Sequence, residues 1–246
     1  MRNYIKAELF RNFNRIYFWG YTGGIAALTL LVNILLSDNS INLVMLMKLS
    51  TNMLTIPIFL IGPIVDMVTA EEYKNSTFKN VLSFGISKEK LVLSKIIVSI
   101  ILSLVAAIII LTVFFGSGTI IFGIGKEFSA TLLISFIKIL LISSILWIGS
   151  IAVCTFFAFS FKNSNIFSFT YVLTFVLFSK VITLLSVLVS DKFKYIHDIL
   201  ITTHINRLNA PNLTSSTLGL SALTGIMYLV VFSILTMLCI KNKEIN

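Results

Sequence analysis

The stretch LVLSKIIVSIILSLVAAIIILTVFF, residues 91–115, holds one charged side chain, Lys95, in twenty-five positions. An apolar run of that length is long enough to cross a hydrocarbon layer of ~30 Å as a helix. Five further stretches read the same way, near 16–36, 49–70, 139–161, 166–189 and 218–240. Inside lipid each backbone polar group must be satisfied within its own segment, so all six are expected to be helices. The chain has 246 residues, 57% of them hydrophobic and 12% charged, whereas soluble domains carry roughly 25% charged residues. That excludes a soluble fold. Six crossings leave room only for short connections, so residues 1–246 read as one all-α polytopic membrane domain. The segment 128–161 exceeds one untilted crossing, and its start, with Lys138, is expected along the outer interface.

The formal charge is +9, which by itself suits nucleic acid, anionic lipid or membrane topology. Position decides among these. If both termini share a side, Arg2, Lys6, Arg11, Arg15, Lys74, Lys79, Lys88, Lys90, Lys95, Lys162, Lys241 and Lys243 lie there, twelve of the nineteen basic residues. Lys48, Lys126, Lys192, Lys194 and Arg207 fall opposite, and Lys138 and Lys180 lie within apolar runs. The positive-inside rule makes the termini and the 71–90 connection cytoplasmic and explains the charge without nucleic acid. The N-terminus lacks a cleavable signal pattern, so no leader removal is expected. Cys154 and Cys239 sit in apolar runs and read as inert buried thiols.

Three segments outside the spans carry pattern. Residues 1–15 are too polar to insert; Ile5, Leu9, Phe13 and Ile16 are expected on one helical face and Glu8, Arg11 and Arg15 on the other, as in an interfacial helix on the inner leaflet. In residues 71–90, EEYKNSTFKNVLSFGISKEK, Thr77 to Leu82 suits a short helix presenting Phe78, Val81 and Leu82; Gly85 suits a turn and Ser87 an N-cap of the third span. Tethers between neighbouring helices need only ~2–8 residues, so this length and patterning point to a cytosolic partner. The connection 190–217 is the longest, and 192–208 suits a surface helix. His197 and His204 would share one of its faces; two histidines are too few for a metal site of three or four protein ligands and are expected to be solvated.

Catalytic motifs fail. Gly123-Ile-Gly125-Lys126 lacks the first glycine and the hydroxyl of a phosphate loop, so ATP hydrolysis by this chain is not expected. Ser87-Lys-Glu-Lys90 matches S-x-x-K without the companion motifs, and no H-E-x-x-H occurs. Glu71-Glu72 with Phe193-x-x-x-His197 resembles parts of the CAAX-protease-like membrane peptidases, but Ser76 stands in place of that family's arginine. The glutamates and the histidine are also expected on opposite sides of the membrane, beyond the reach a general base needs.

The segment from Glu72-Tyr-Lys-Asn-Ser-Thr77 through Leu82-Ser-Phe-Gly-Ile-Ser-Lys88 to Leu93-Ser-Lys95, with the interfacial helix, the six spans and the large last outer connection, resembles the type-2 ATP-binding-cassette (ABC) permeases. These are transmembrane subunits of bacterial exporters whose ATPase is a separate polypeptide. Ser76 stands where the family usually has glycine. The resemblance implies that residues 77–86 form a coupling helix seated in a cleft of the ATPase, with Glu71 and Glu72 at the inner end of the second span. It further implies two ATPase subunits that bind ATP and Mg, no cofactor on this chain, a second permease chain, identical or paralogous, and residence in the bacterial cytoplasmic membrane. The small, loop-poor chain is similar to permeases for bacitracin, lantibiotic immunity and amphipathic peptides such as phenol-soluble modulins; exporters of lipids, drugs and sodium share the architecture.

Two charged residues stand out as candidates for the translocation path. Lys180 lies well inside the fifth span, where a lysine usually faces the bundle or a wet cavity. Asp66 lies near the inner boundary, one to two turns before Glu71, and suits a structural role in the gate region. Gly20 and Gly24 form a G-x-x-x-G that permits close helix approach.

Overall fold

The computed structural model describes residues 1–37, 41–70, 85–161, 163–210 and 213–241. Their elements are helices α1 (Arg2–Phe13), α2 (Ile16–Leu35), α3 (Leu43–Asn52), α4 (Ile56–Val65, continued by the π-helical turn Asp66–Ala70), α5 (Lys88–Phe122), α6 (Ala130–Ser160), α7 (Ser164–Leu188), α8 (Phe193–Ile199), α9 (Ile201–Leu208) and α10 (Ser215–Lys241). Five of them, α2, α5, α6, α7 and α10, are long and apolar enough to span a membrane singly. The pair α3 and α4 is apolar enough for a span only when taken together, and it is bent by 68° at the break between them. The chain is an all-α, multi-pass membrane protein.

The helix expected over 49–70 is interrupted. Pro57 has no N–H and enters at the start of α4, so the ladder cannot run on from α3, and residues 53–55 form a turn. Pro63 breaks the ladder again inside α4, just before the π-helical turn. Carbonyls of this interrupted stretch find donors on other spans. Trp147 Nε1 donates to Leu54 O at 3.0 Å, Tyr171 Oη to Ile58 O at 2.8 Å and Tyr21 Oη to Leu60 O at 2.7 Å. Three helices thus hold α4 and the turn before it through backbone carbonyls.

Close packing in lipid needs small residues, and the structure places it away from the expected Gly20–Gly24 pair. A Cβ on either of those glycines would meet nothing within 4 Å. On α6 and α10, by contrast, a Cβ on Gly149 would lie 2.8 Å from Gly225 O, and one on Gly225 would lie 2.6 Å from Ile145 O. These helices pack along much of their length, as do α2 and α5. The largest core cluster joins Ile58, Ile61 and Val65 of α4, Leu146 and Cys154 of α6, Tyr171 of α7 and Ile205 of α9. Cys154 is a buried free thiol, as expected; Cys239 is free and half-buried.

Residues 130–160 form one continuous helix; 31 residues give ~46 Å of helix, enough to cross at a tilt. One expectation outside the spans is corrected. The surface helix expected over 192–208 is broken at Leu200, which is extended. Its second half, α9, is buried along Ile201, Ile205 and Leu208 because those apolar residues recur at helical spacing. His204 lies on that buried side, 4% exposed, and is not the solvated residue expected.

Candidate coupling site

Glu71, Glu72, Thr77, Phe78, Val81 and Leu82, the core of the expected coupling segment, lie outside the described residues. Both flanks of that segment are described. Downstream, Gly85 has φ +82°, a left-handed turn conformation suited to glycine, and the Ser87 hydroxyl accepts from Lys90 N at the start of α5. Lys88 Nζ then donates to Ile240 O at 3.2 Å and Lys241 O at 3.4 Å. Those carbonyls lie in the last described turn of α10, and the ammonium both bonds them and offsets the negative end of the helix dipole.

Two turns further along α5, Lys95 is fully buried, its ammonium 2.7 Å from Glu8 Oε2 of α1 and 5.8 Å from the centre of the Tyr4 ring. Arg11 Nη2 reaches the same carboxylate oxygen at 2.7 Å. Glu8 is 4% exposed, which corrects its expected place on the outer polar face. Residues 5, 8, 9 and 12 are neighbours on one side of a helix, so turning Ile5 and Leu9 toward the bundle turns Glu8 and Asn12 with them. Ile5, Leu9 and Phe13 pack against Phe18, Ile64, Met67 and Val98, whereas Ile16 and Phe10 are exposed. The elbow helix is fixed to the bundle by apolar contact and by a charge pair from which water is excluded.

Upstream, Asp66 opens the π-helical turn that ends the second span. Ser164 Oγ, at the first residue of α7, donates to Asp66 Oδ1 at 2.6 Å, so the carboxylate sits at the positive end of the α7 dipole. Arg15, at the joint of α1 and α2, donates to Met67 O at 3.4 Å. Asn14, Arg15, Ile16, Tyr17, Asp66, Met67 and Ser164 line a cavity of about 630 Å³ where these three elements meet. Lys180 lies elsewhere, on the exposed side of α7 among Val176, Leu177 and Val181, and does not face this chain's own interior.

Of the peptidase-like constellation, Glu71 and Glu72 lie outside the described residues. Ala70, the residue before Glu71, closes the turn that Asp66 fixes to the start of α7, while His197 lies beyond the far end of that helix, whose 25 residues extend ~37 Å. Among the described residues no group of three or more His, Cys, Asp or Glu is placed to hold a metal.

The described residues form a multi-pass helical domain in which buried and capping charged groups tie α1, α4, α5, α7 and α10 together at one end of the bundle. The family model for ABC-2 family transporter proteins matches residues 24–179, and the chain belongs to that family. It is therefore the membrane permease component of an ABC transporter, a class that works with an ABC ATPase and is not itself the catalytic ATPase. No curated protein matches the chain.

Sequence reasoning missed the Glu8–Lys95 pair and the capping role of Lys88. A signal for the first was present: Glu8 is the only acidic residue among the first thirty-seven, set between Lys6 and Arg11, and Lys95 interrupts an apolar run. Nothing local ties the two together, since 87 positions separate them.

Proposed function

We propose that this chain is the membrane subunit of an ATP-driven exporter that moves amphipathic or antimicrobial peptides out of the bacterial cell or its membrane, coupled through residues 71–90 to a separate ATPase. Two ATPase copies and two permease chains form the working unit, with the termini and residues 71–90 in the cytoplasm. One observation carries the coupling reading: the flanks of the 71–84 segment are tied to α7 through Asp66, to α1 through Lys95 and to α10 through Lys88. A displacement of that segment would be delivered to several spans at once. Phe78 and Leu82 supply the apolar anchors that carry most of the energy of an interface, while the surrounding charges set encounter rate and orientation. Lys180, exposed on an apolar helix, faces the second permease chain or the path between the two chains.

The test is a pull-down from native membranes in mild detergent, comparing the wild type with Phe78→Asp plus Leu82→Asp at matched expression, followed by an ATPase assay. Co-purification of an ATPase with the wild type and its loss with the variant is the expected result. No ATPase under any mild condition would remove the coupling reading. For the cargo, expression of the chain with its ATPase is expected to raise tolerance to amphipathic peptides, and tolerance that does not change would set the peptide reading aside.

A further inference from the structure

A second cavity, of about 370 Å³, lies between α2, α4, α5 and α6, away from the coupling site. It is within the ~300–1,000 Å³ range of ligand sites. Its mouth is formed by exposed residues of two neighbouring spans, Leu104 and Ile108 on α5 and Ile137 and Leu141 on α6. Its floor is the buried Ile61, Ile64 and Ile151. Residues 104–111 of α5 and 137–148 of α6 occupy the middle of these long helices, so the mouth opens sideways at hydrocarbon depth.

The lining has little to offer water. Tyr21 and Trp147 spend their polar hydrogens on Leu60 O and Leu54 O, and Ser144 spends its own on Leu141 O. What these residues present to the cavity is ring face and methylene. Among the polar side-chain atoms lining it, the Ser103 hydroxyl is the one buried without a hydrogen bond. A resident water needs 2–4 polar partners, and an apolar void left empty forfeits dispersion contacts on every wall. The medium at the mouth is itself a saturated supply of hydrocarbon.

We infer that the cleft is a binding site for one acyl chain of a bilayer phospholipid, which enters laterally between α5 and α6 and packs against Trp147 and Tyr21. The lipid chain then joins α5 to α6 across the cleft and is part of the folded bundle.

Tryptophan fluorescence tests this directly, because Trp19 and Trp147 are the only tryptophans. In a Trp19→Phe background the full chain is reconstituted into phosphatidylcholine vesicles, with acyl chains either plain or brominated at mid-chain. Trp147 is expected to lose most of its emission in the brominated vesicles. Filling the cleft with Ala107→Phe, or with the milder Ala107→Leu, is expected to restore emission toward the plain-lipid level; either variant is read if its circular dichroism matches the parent. The inference is overturned if Trp147 is not quenched in the parent. It is equally overturned if quenching is undiminished in a folded cleft-filling variant, since the lipid then reaches the ring only from the outer surface of α6.

Discussion

The two ends of the bundle are held together by different chemistry. On the side of the N-terminus, charged groups bridge elements far apart in the chain: Lys95 to Glu8, Lys88 to the end of α10, and Asp66 to Ser164. At the far side, α9 is held by its apolar face and by His204, whose Nδ1 lies 3.2 Å from Ser221 Oγ and Nε2 3.0 Å from Thr224 Oγ1 of α10. A neutral ring donates from one nitrogen to one of those hydroxyls; for the second nitrogen to accept, the other hydroxyl must turn its hydrogen from Thr217 O or Leu220 O to the ring. The charged pairs at this end, Arg207 with Asp198 and Lys194 with Asp191, are exposed on both sides. Losing one member of a buried charge pair costs more than losing a neutral hydrogen bond, and losing one member of a solvated pair costs least. The N-terminal end is therefore built to keep several helices in fixed relation, and the far end to be adjusted by solution conditions.

The contrast is broken most sharply at Lys95. Lys95→Met leaves a buried carboxylate with only Arg11, and the expected destabilisation is about 3 kcal/mol or more, read as a lowered thermal midpoint in detergent. Adding Glu8→Gln is expected to recover a large part of that loss, because it removes the uncompensated charge. Strict additivity of the two would show that the residues do not interact.

At the far end, His204→Phe is expected to cost about 1–3 kcal/mol through the loss of buried polar contacts to Ser221 and Thr224, with the loosening confined to α8 and α9 in hydrogen exchange. Acid sharpens the same point. Burial, and then the Arg207 charge, hold the His204 pKa below its usual value, with Asp198 opposing. The undocked segment therefore takes up a proton first as pH falls below about 6.5, and docking weakens. Amide protection in α9 is expected to drop on acidification while that of α1 stays level. A uniform drop in both would erase the distinction between the ends.

Smaller effects bracket these. Lys88→Met is expected to cost about 0.3–1 kcal/mol, the usual worth of a cation at a helix C-terminus, and to fray the last turn of α10. Asp198→Asn should change stability by less than about 1 kcal/mol, and less still in high salt, since that pair is solvated.

The membrane fold was legible because unbroken apolar runs such as 91–115 leave a chain in water no other way to satisfy both its side chains and its backbone. The bend at residues 53–55 was not, although Pro57 and Pro63 were in plain view. Whether a proline ends a helix in lipid depends on donors elsewhere, and Trp147, Tyr171 and Tyr21 come from three other helices. The burial of His204 escaped for the same reason, its hydroxyl partners lying 17 and 20 positions later on α10. At the coupling site, the flanking features Gly85 and Ser87 follow local rules and could be read. The Glu8–Lys95 pair is a tertiary fact with no local rule behind it.

The break between α3 and α4 also bears on how the protein is made. Leu54 O leaves the ribosome 93 positions ahead of Trp147, the side chain that caps it. At synthesis rates of ~5–20 residues per second, roughly five to twenty seconds pass before that donor exists. The break between α3 and α4 therefore gains its tryptophan cap only when α6 has been made, and the order of synthesis sets a delay between the two.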